Sequence, residues 1–342
     1  VYLPAFNYRP RKSAQYGLAL QNHQDPEKPL RFRWGFLAST DTHAARPGHG
    51  FKQLQRLHTL DTTGARGSFW WDLIKDSVTR PPAAARSLTA DQIDPVGAKV
   101  FAAEFERSTS FINAGGVAAV HAQGRSRDAI WDAMKRREIY GTSGHRMLLW
   151  FDLLNGDESG ITHPMGSDVT MWQNPRFRVR VVGSFKQLPG CPDYVKSALE
   201  KRRFKKMAKG ECYNPSDERY TIKRVEIIKI RPQDYEGESV AELIEDSWRV
   251  FDCLPSADGC TVEFEDPDFA AQGRDALYYV RALEEPIPTI NGGNLRTRFD
   301  KNANSVSTAP CYGDFRTDES DDCQAPQSQR AWSSPIFVDY KK

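Results

Sequence analysis

The sequence predicts an α/β portion over residues 1–150 followed by a β-rich, sandwich-like portion over residues 151–342, and three observations carry that division. Helix-like stretches and short apolar strands alternate up to about residue 150, the rhythm of an α/β layer. Beyond it, RFRVRVVGSF and TIKRVEIIKI alternate basic and apolar residues at period two, and CTVEFED, ALYYVRAL and SPIFVDY continue the series of strands. All six cysteines fall after residue 190.

In order along the chain, YRPRKSAQYGLAL (8–20) reads as a short helix. RFRWGFLAST reads as a strand, compact in aromatic and aliphatic residues and followed by turn chemistry. Residues 66–97, with paired prolines and mixed polarity, read as a long excursion. KVFAAEFERSTSFINAG suits a helix ending at Gly115 and Gly116, and VAAVHA is a short apolar strand. Ser126 then precedes RDAIWDAMKRREIY, whose Ile130, Met134 and Ile139 fall on one helical face, and MLLWFDLL is the next strand. In the second portion, YVKSALEKRRFKKMAKG carries seven Lys or Arg residues and reads as a helix with a solvated basic face. The acidic run at 318–322 lacks the alternating ligands and central glycine of an EF-hand loop and reads as an exposed charged loop.

Composition bounds the function. At 342 residues with 39% hydrophobic content, the chain can bury a sizeable core. A net charge of +2 gives no general pull toward nucleic acid, so none is expected as a partner. No run of eighteen apolar residues is present, so no membrane span is expected. Cys191, Cys212, Cys253, Cys260, Cys311 and Cys323 allow fifteen pairings. Sequential pairing closes three short loops and points to an oxidising, periplasmic or secreted setting. Free thiols or zinc are the alternatives, against which stand the irregular spacings and the lack of any Cys-x-x-Cys.

The densest chemistry lies in GFLASTDTHAARPGHG, residues 35–50. Asp41 and His43 are two apart, so in an extended segment both side chains project to one side, where a carboxylate and an imidazole can approach the same divalent ion. A polar turn with an incidental histidine is the competing reading of that spacing. His121 ends the strand VAAVHA and reads either as a pocket residue or as a core histidine satisfied by a backbone carbonyl. Arg146 in GTSGHR is a candidate anion binder, with Thr142 and Ser143 as neighbouring donors. His23, His58 and His163 sit in polar connections and read as surface residues. No Gly-x-Ser-x-Gly elbow, phosphate-cradling loop or dinucleotide fingerprint is present.

Residues 35–50 resemble the last metal motif of the polymerase and histidinol phosphatase (PHP) superfamily, a strand-ending aspartate and histidine of a multinuclear centre. More narrowly, GFLASTDTHAARPGHGFKQ, GGVAAVHAQGRSRDAIWDAMKRREIYGTSGHR, FEDPDF, ALYYVRALEEP and RAWSSPIFV, in that order, resemble the family called domain of unknown function 3604. The resemblance implies the late part of a distorted PHP-like β/α barrel with Asp41 and His43 as ligands to zinc, manganese or iron. Arg46 and His49, just after that pair, lie where barrel enzymes keep substrate-contacting groups. It also implies an early His-x-His pair, and none occurs in this sequence. The chain opens at Val1, so the expectation is that an N-terminal remainder of the same protein supplies the other ligands.

The resulting expectation is a metal-dependent hydrolase of a small-molecule phosphoester or related ester or amide, acting through metal-activated water. The alternative is a non-catalytic secreted module whose β-rich portion recognises a glycan or protein.

Overall fold

The computed structural model describes residues 13–25, 30–38, 67–69, 72, 116–156, 160–302, 305–312 and 315–341. Helix α1 (Ala14–Ala19) opens it, capped by the Ser13 side chain, which accepts from the Tyr16 amide. Two short strands, β1 (Gln21–Asn22) and β2 (Leu30–Arg31), pair antiparallel. Of the expected strand RFRWGFLAST only its start joins a ladder; residues 32–38 continue without one.

Strand β3 (Val117–Val120), helix α2 (Arg127–Lys135) and strand β4 (Ile139–Thr142) follow. Ser126 caps α2 through the Ala129 amide, as a serine at that position does. β3 and β4 pair antiparallel, in contrast to the parallel strands of a β/α repeat. The cause is local. His121 N–H donates to Glu138 O, so the helix lies inside one long loop that leaves and re-enters at the same rung. Arg137, at φ 62°, turns the chain into β4. The helix is therefore shorter than its pattern implied: Ile139 is buried in the strand, while Ile130, Trp131 and Met134 are each at least 36% exposed.

The remaining strands are β5 (Leu148–Leu153), β6 (His163–Pro164), β7 (Asp168–Met171), β8 (Arg176–Val182), β9 (Phe185–Gln187), β10 (Pro215–Arg219), β11 (Ile222–Ile230), β12 (Ile244–Asp252), β13 (Cys260–Glu265), β14 (Ala276–Ile290), β15 (Arg298–Phe299), β16 (Ser305–Ser307), β17 (Gln324–Ser333) and β18 (Ile336–Tyr340). Between β9 and β10 the single expected helix splits into α3 (Asp193–Ala198) and α4 (Lys201–Ala208), because Leu199 and Glu200 adopt extended backbone.

Two sheets make the body. The larger runs β12-β11-β14-β17-β4-β3, with β18 against the first part of β14 and β7 parallel to β18. The smaller runs β13-β8-β5-β6. Period-two alternation decides how they pack: Phe177, Val179 and Val181 of β8 and Leu149, Phe151 and Leu153 of β5 face Val225, Ile227, Tyr278, Val280 and Ala331 of the larger sheet. The opposite face of the larger sheet has its own core, where α1 brings Leu18 against Ile228, Ile230, Leu277 and Phe337. The described molecule is thus mixed α/β and mostly strand. Strands from both sides of residue 150 share the larger sheet, since β4 pairs with β17. Among the described residues the sheets do not close into a barrel.

The three sequential disulfides are present, Cys191–Cys212, Cys253–Cys260 and Cys311–Cys323. The second joins the end of β12 to the start of β13, and so ties one sheet to the other.

Candidate functional site

Asp41, His43, Arg46 and His49 lie outside the described residues, as does His58. What the structure defines is the approach to that motif. Residues 30–38 run across the body under a ladder of charges. Arg31 donates to Asp275 at 2.8 Å and also to Asp339. Arg33 reaches Asp168 at 2.7 Å and grips both oxygens of Asp339. Arg137 donates to the Arg33 carbonyl at 2.7 Å and to Asp168. The Phe337 ring carries both guanidiniums, 5.5 and 5.2 Å from its centroid. Burial would raise the Asp168 carboxyl, but hydrogen bonds from Arg33 and Arg137 hold it below its ordinary value.

Contacts tighten toward the motif. The Phe36 amide donates to Ser334 Oγ at 2.9 Å, and that hydroxyl donates on to the Ile139 carbonyl. A Cβ on Gly35 would sit 2.8 Å from Ser334 Oγ, and one on Gly141 only 2.4 Å from the Ala38 Cβ. Glycine is required at both places by close approach rather than by conformation. Ala38, three residues before Asp41, is therefore seated directly on strand β4. A cavity of about 430 Å³ opens beside the segment, walled by Trp34, Phe36, Ala38, Tyr279 and Trp332. Its polar groups are already engaged: Gln15 Nε2 donates to Tyr279 Oη and Asp246, and Arg281 binds Glu226 and Asp246.

His121 sits at the end of β3 with Nε2 2.8 Å from the Leu149 carbonyl, its ring beside Tyr140 and Trp150. It thereby joins the larger sheet to β5 of the smaller one. Nearby Asp152, which the sequence did not single out, has its carboxyl raised by burial, in part offset by His121 and Arg178. Arg146 is exposed and lies over Tyr213, 3.9 Å from the ring centroid. The flanking hydroxyls hold the turn: Thr142 Oγ1 accepts from Gly144 N, and Ser143 Oγ donates to Gln329 and accepts from Arg330 N. His23 and His163 are half-buried.

Two buried polar clusters carry no signature in the sequence. His145 Nδ1 lies 2.5 Å from Glu284 and 3.1 Å from Ser184 Oγ, and its ring stacks on Tyr220. Acid and hydroxyl converge on the same ring nitrogen, whereas a nucleophilic serine needs the nitrogen opposite the acid. The cluster is a brace, with Glu284 also taking the Ser184 amide. In the second cluster, Lys229 pairs with Asp266 at 2.6 Å, both at most 2% exposed, and Tyr278 donates to the same Asp266 oxygen. Burial first, then the Asp266 charge, pushes the Tyr278 hydroxyl well up. Lys229 faces inward because it shares parity with Val225 and Ile227 on β11, an inward position that its charge does not announce.

Among the described residues, Cys311, Asp321 and Cys323 form a group close enough to surround a cation. The two sulfurs are bonded to each other, and Asp321 is gripped by Arg296 at 2.7 and 2.8 Å, which holds its carboxyl below the ordinary value. With no thiolate and its one carboxylate neutralised by Arg296, the group does not fit a metal.

A β-rich fold of two packed sheets that anchors residues 30–38 by arginine–aspartate pairs is the class this geometry defines. Residues 4–158 match the family described as "Protein of unknown function (DUF3604)", which supports that family for the first part of the chain. The matched region contains the Asp41–His43 motif and the β3–α2–β4 unit. Comparison with curated proteins and with solved structures gave no match.

Proposed function

We propose that the protein is a metal-dependent hydrolase, related to the PHP-like enzymes, that cleaves a phosphoester or a related ester or amide bond of a small molecule. The observation that carries this reading is the seating of residues 30–38. Three arginines, Ser334 and the Ala38–Gly141 contact hold residues 30–38, which precede Asp41 and His43 in the sequence. A metal ligand must be held closely in place by its support, and this segment is held at Arg31, Arg33, Gly35, Phe36 and Ala38. Two donors do not complete a centre, so further ligands would have to join Asp41 and His43 to hold divalent zinc, manganese or iron. Such an ion would supply an acidified water and stabilise negative charge on the cleaved group. Arg46 and His49 are placed in the sequence to contact an anionic portion of the substrate.

Asp41→Ala is the test. Elemental analysis of the full chain should show bound metal in the wild type and a clear loss in the variant, alongside lost turnover in a screen of phospho- and carboxyl-esters. Equal metal content in both, or none in the wild type, overturns the reading and leaves the β-rich portion as a binding module.

A further inference from the structure

The excursion between β9 and β10 is not among the groups that hold residues 30–38, and its construction is distinctive. Its base is a short ribbon in which Phe185 pairs with Arg219 and Gln187 with Pro215. Cys191–Cys212 closes it with the Cα atoms 4.7 Å apart, and Gly190 N–H adds a hydrogen bond to Glu211. From Cys191 to Cys212 the chain holds seven Lys or Arg and three Asp or Glu, a net +4 within a protein of +2. The excursion therefore carries a local excess of positive charge.

Helix α4 arranges that charge on one side. At 100° per residue, Lys201, Lys205, Arg202, Lys206 and Arg203 cover an arc of about 200°, while Phe204 and Ala208 lie on the remaining face. All five cations are exposed, whereas Ala208 is buried and Phe204 half-buried. No side chain of the five makes a hydrogen bond or ion pair among the described residues. Apolar side chains are exposed on the same excursion: Tyr194 is 69%, Leu188 49% and Met207 42% exposed. A basic arc with exposed Met207 at its edge, on an excursion that also exposes Tyr194 and Leu188, matches a surface with anionic headgroups above an apolar layer. A nucleic acid duplex would complement the cations but not the apolar groups. The disulfides also fit an oxidising compartment, which membranes border.

We propose that the Cys191–Cys212 excursion is a docking element for the surface of an anionic lipid membrane, with α4 laid on the headgroups. The cations supply the attraction, and Tyr194, Leu188 and Met207 enter the interfacial zone. The disulfide keeps the element presented as one unit.

Sedimentation with vesicles tests this on the full chain. Wild type should bind vesicles of phosphatidylglycerol and phosphatidylcholine in equal parts, ignore pure phosphatidylcholine, and release when salt rises from about 0.1 M to about 0.5 M. Each cation near such a surface contributes about a fivefold gain in affinity, so K201Q/R202Q/K205Q/K206Q together should cost at least about a hundredfold. These residues are exposed, so an unchanged melting temperature confirms that the variant is folded. Binding to a short DNA duplex without binding to anionic vesicles overturns the lipid assignment. Equal binding by wild type and the quadruple variant overturns the role of α4.

Discussion

Asp266 shows how much can rest on one carboxylate. It is fully buried, takes the Lys229 ammonium at 2.6 Å and the Tyr278 hydroxyl, and its other oxygen accepts from the Asp268 amide. Both oxygens it brings into the core have partners, which is the condition for tolerating an ion pair there. Removing it leaves the buried Lys229 charge with no anionic partner, only Gln272 Oε1 at 3.4 Å and the Trp248 ring, so Asp266→Ala should cost about 3–5 kcal/mol, read as a drop in the denaturation midpoint. K229M/D266L, which removes both charges, should cost less than either single change. A double variant less stable than Asp266→Ala would show that the pair is net stabilising. Tyr140 offers a pH counterpart. It is 4% exposed, donates to the Met147 carbonyl at 2.9 Å, and burial pushes its hydroxyl up to about 12. An acid whose pKa is raised by folding stabilises the native state fully below the unfolded value of about 10 and loses that contribution as pH climbs through the folded one. Stability should thus hold to about pH 10 and fall toward pH 12. Absorbance titration should show a late phenolate step that Tyr140→Phe removes; ionisation of that phenol near pH 10 would contradict the burial argument.

At the level of elements, the legible parts were those whose pattern is set by one neighbour surface. Strand β8 alternates because one face packs on the core and the other meets solvent, and its seven residues were readable for that reason. Strand β14 is buried on both faces, so its apolar run marks a strand but not which sheet partners it has. Helix α2 was readable at its start, where Ser126 caps it, and misread at its end, because Ile139 continues the helical period while belonging to β4. Residues 30–38 carry the composition of a strand yet are held largely by side chains: Arg33 to Asp168 and Asp339, and Phe36 to Ser334, 298 residues away. Such partners are distant in sequence, and no local period encodes them. The same holds for the two buried clusters, where Glu284 and Asp266 look like ordinary surface acids until the fold encloses them. The disulfides were legible because sequential pairing joins short loops. The Asp41–His43 pair lies outside the described residues, and the anchoring of residues 30–38 before it carries no local signal.

For the molecule as a whole, the consequence of the sheet order is that the portion after residue 150 is not sealed on its own. Strand β17 is hydrogen-bonded on one side to β14 and on the other to β4, through Ala331–Thr142, Trp332–Gly141 and Ser333–Tyr140. A boundary at residue 150 cuts through β5, leaving Phe151 and Leu153 in the core but removing Leu149 and Met147, both at most 1% exposed. It also strips α1 from the second core, where Leu18 is fully buried. Each loss exposes apolar surface or an unpaired strand edge, and a marginally stable domain does not absorb several at once. A chain of residues 151–342 should therefore show no sharp thermal transition by circular dichroism and should bind a hydrophobic dye, even with all three disulfides formed. A chain of residues 116–342, which keeps β3, β4 and all of β5, should melt more cooperatively than the shorter one, and below the full chain because α1 and residues 30–38 are gone. If residues 151–342 melt as sharply and at the same temperature as the full chain, the β-rich portion is an autonomous domain, and the pairing of β4 with β17 contributes little to holding the molecule together.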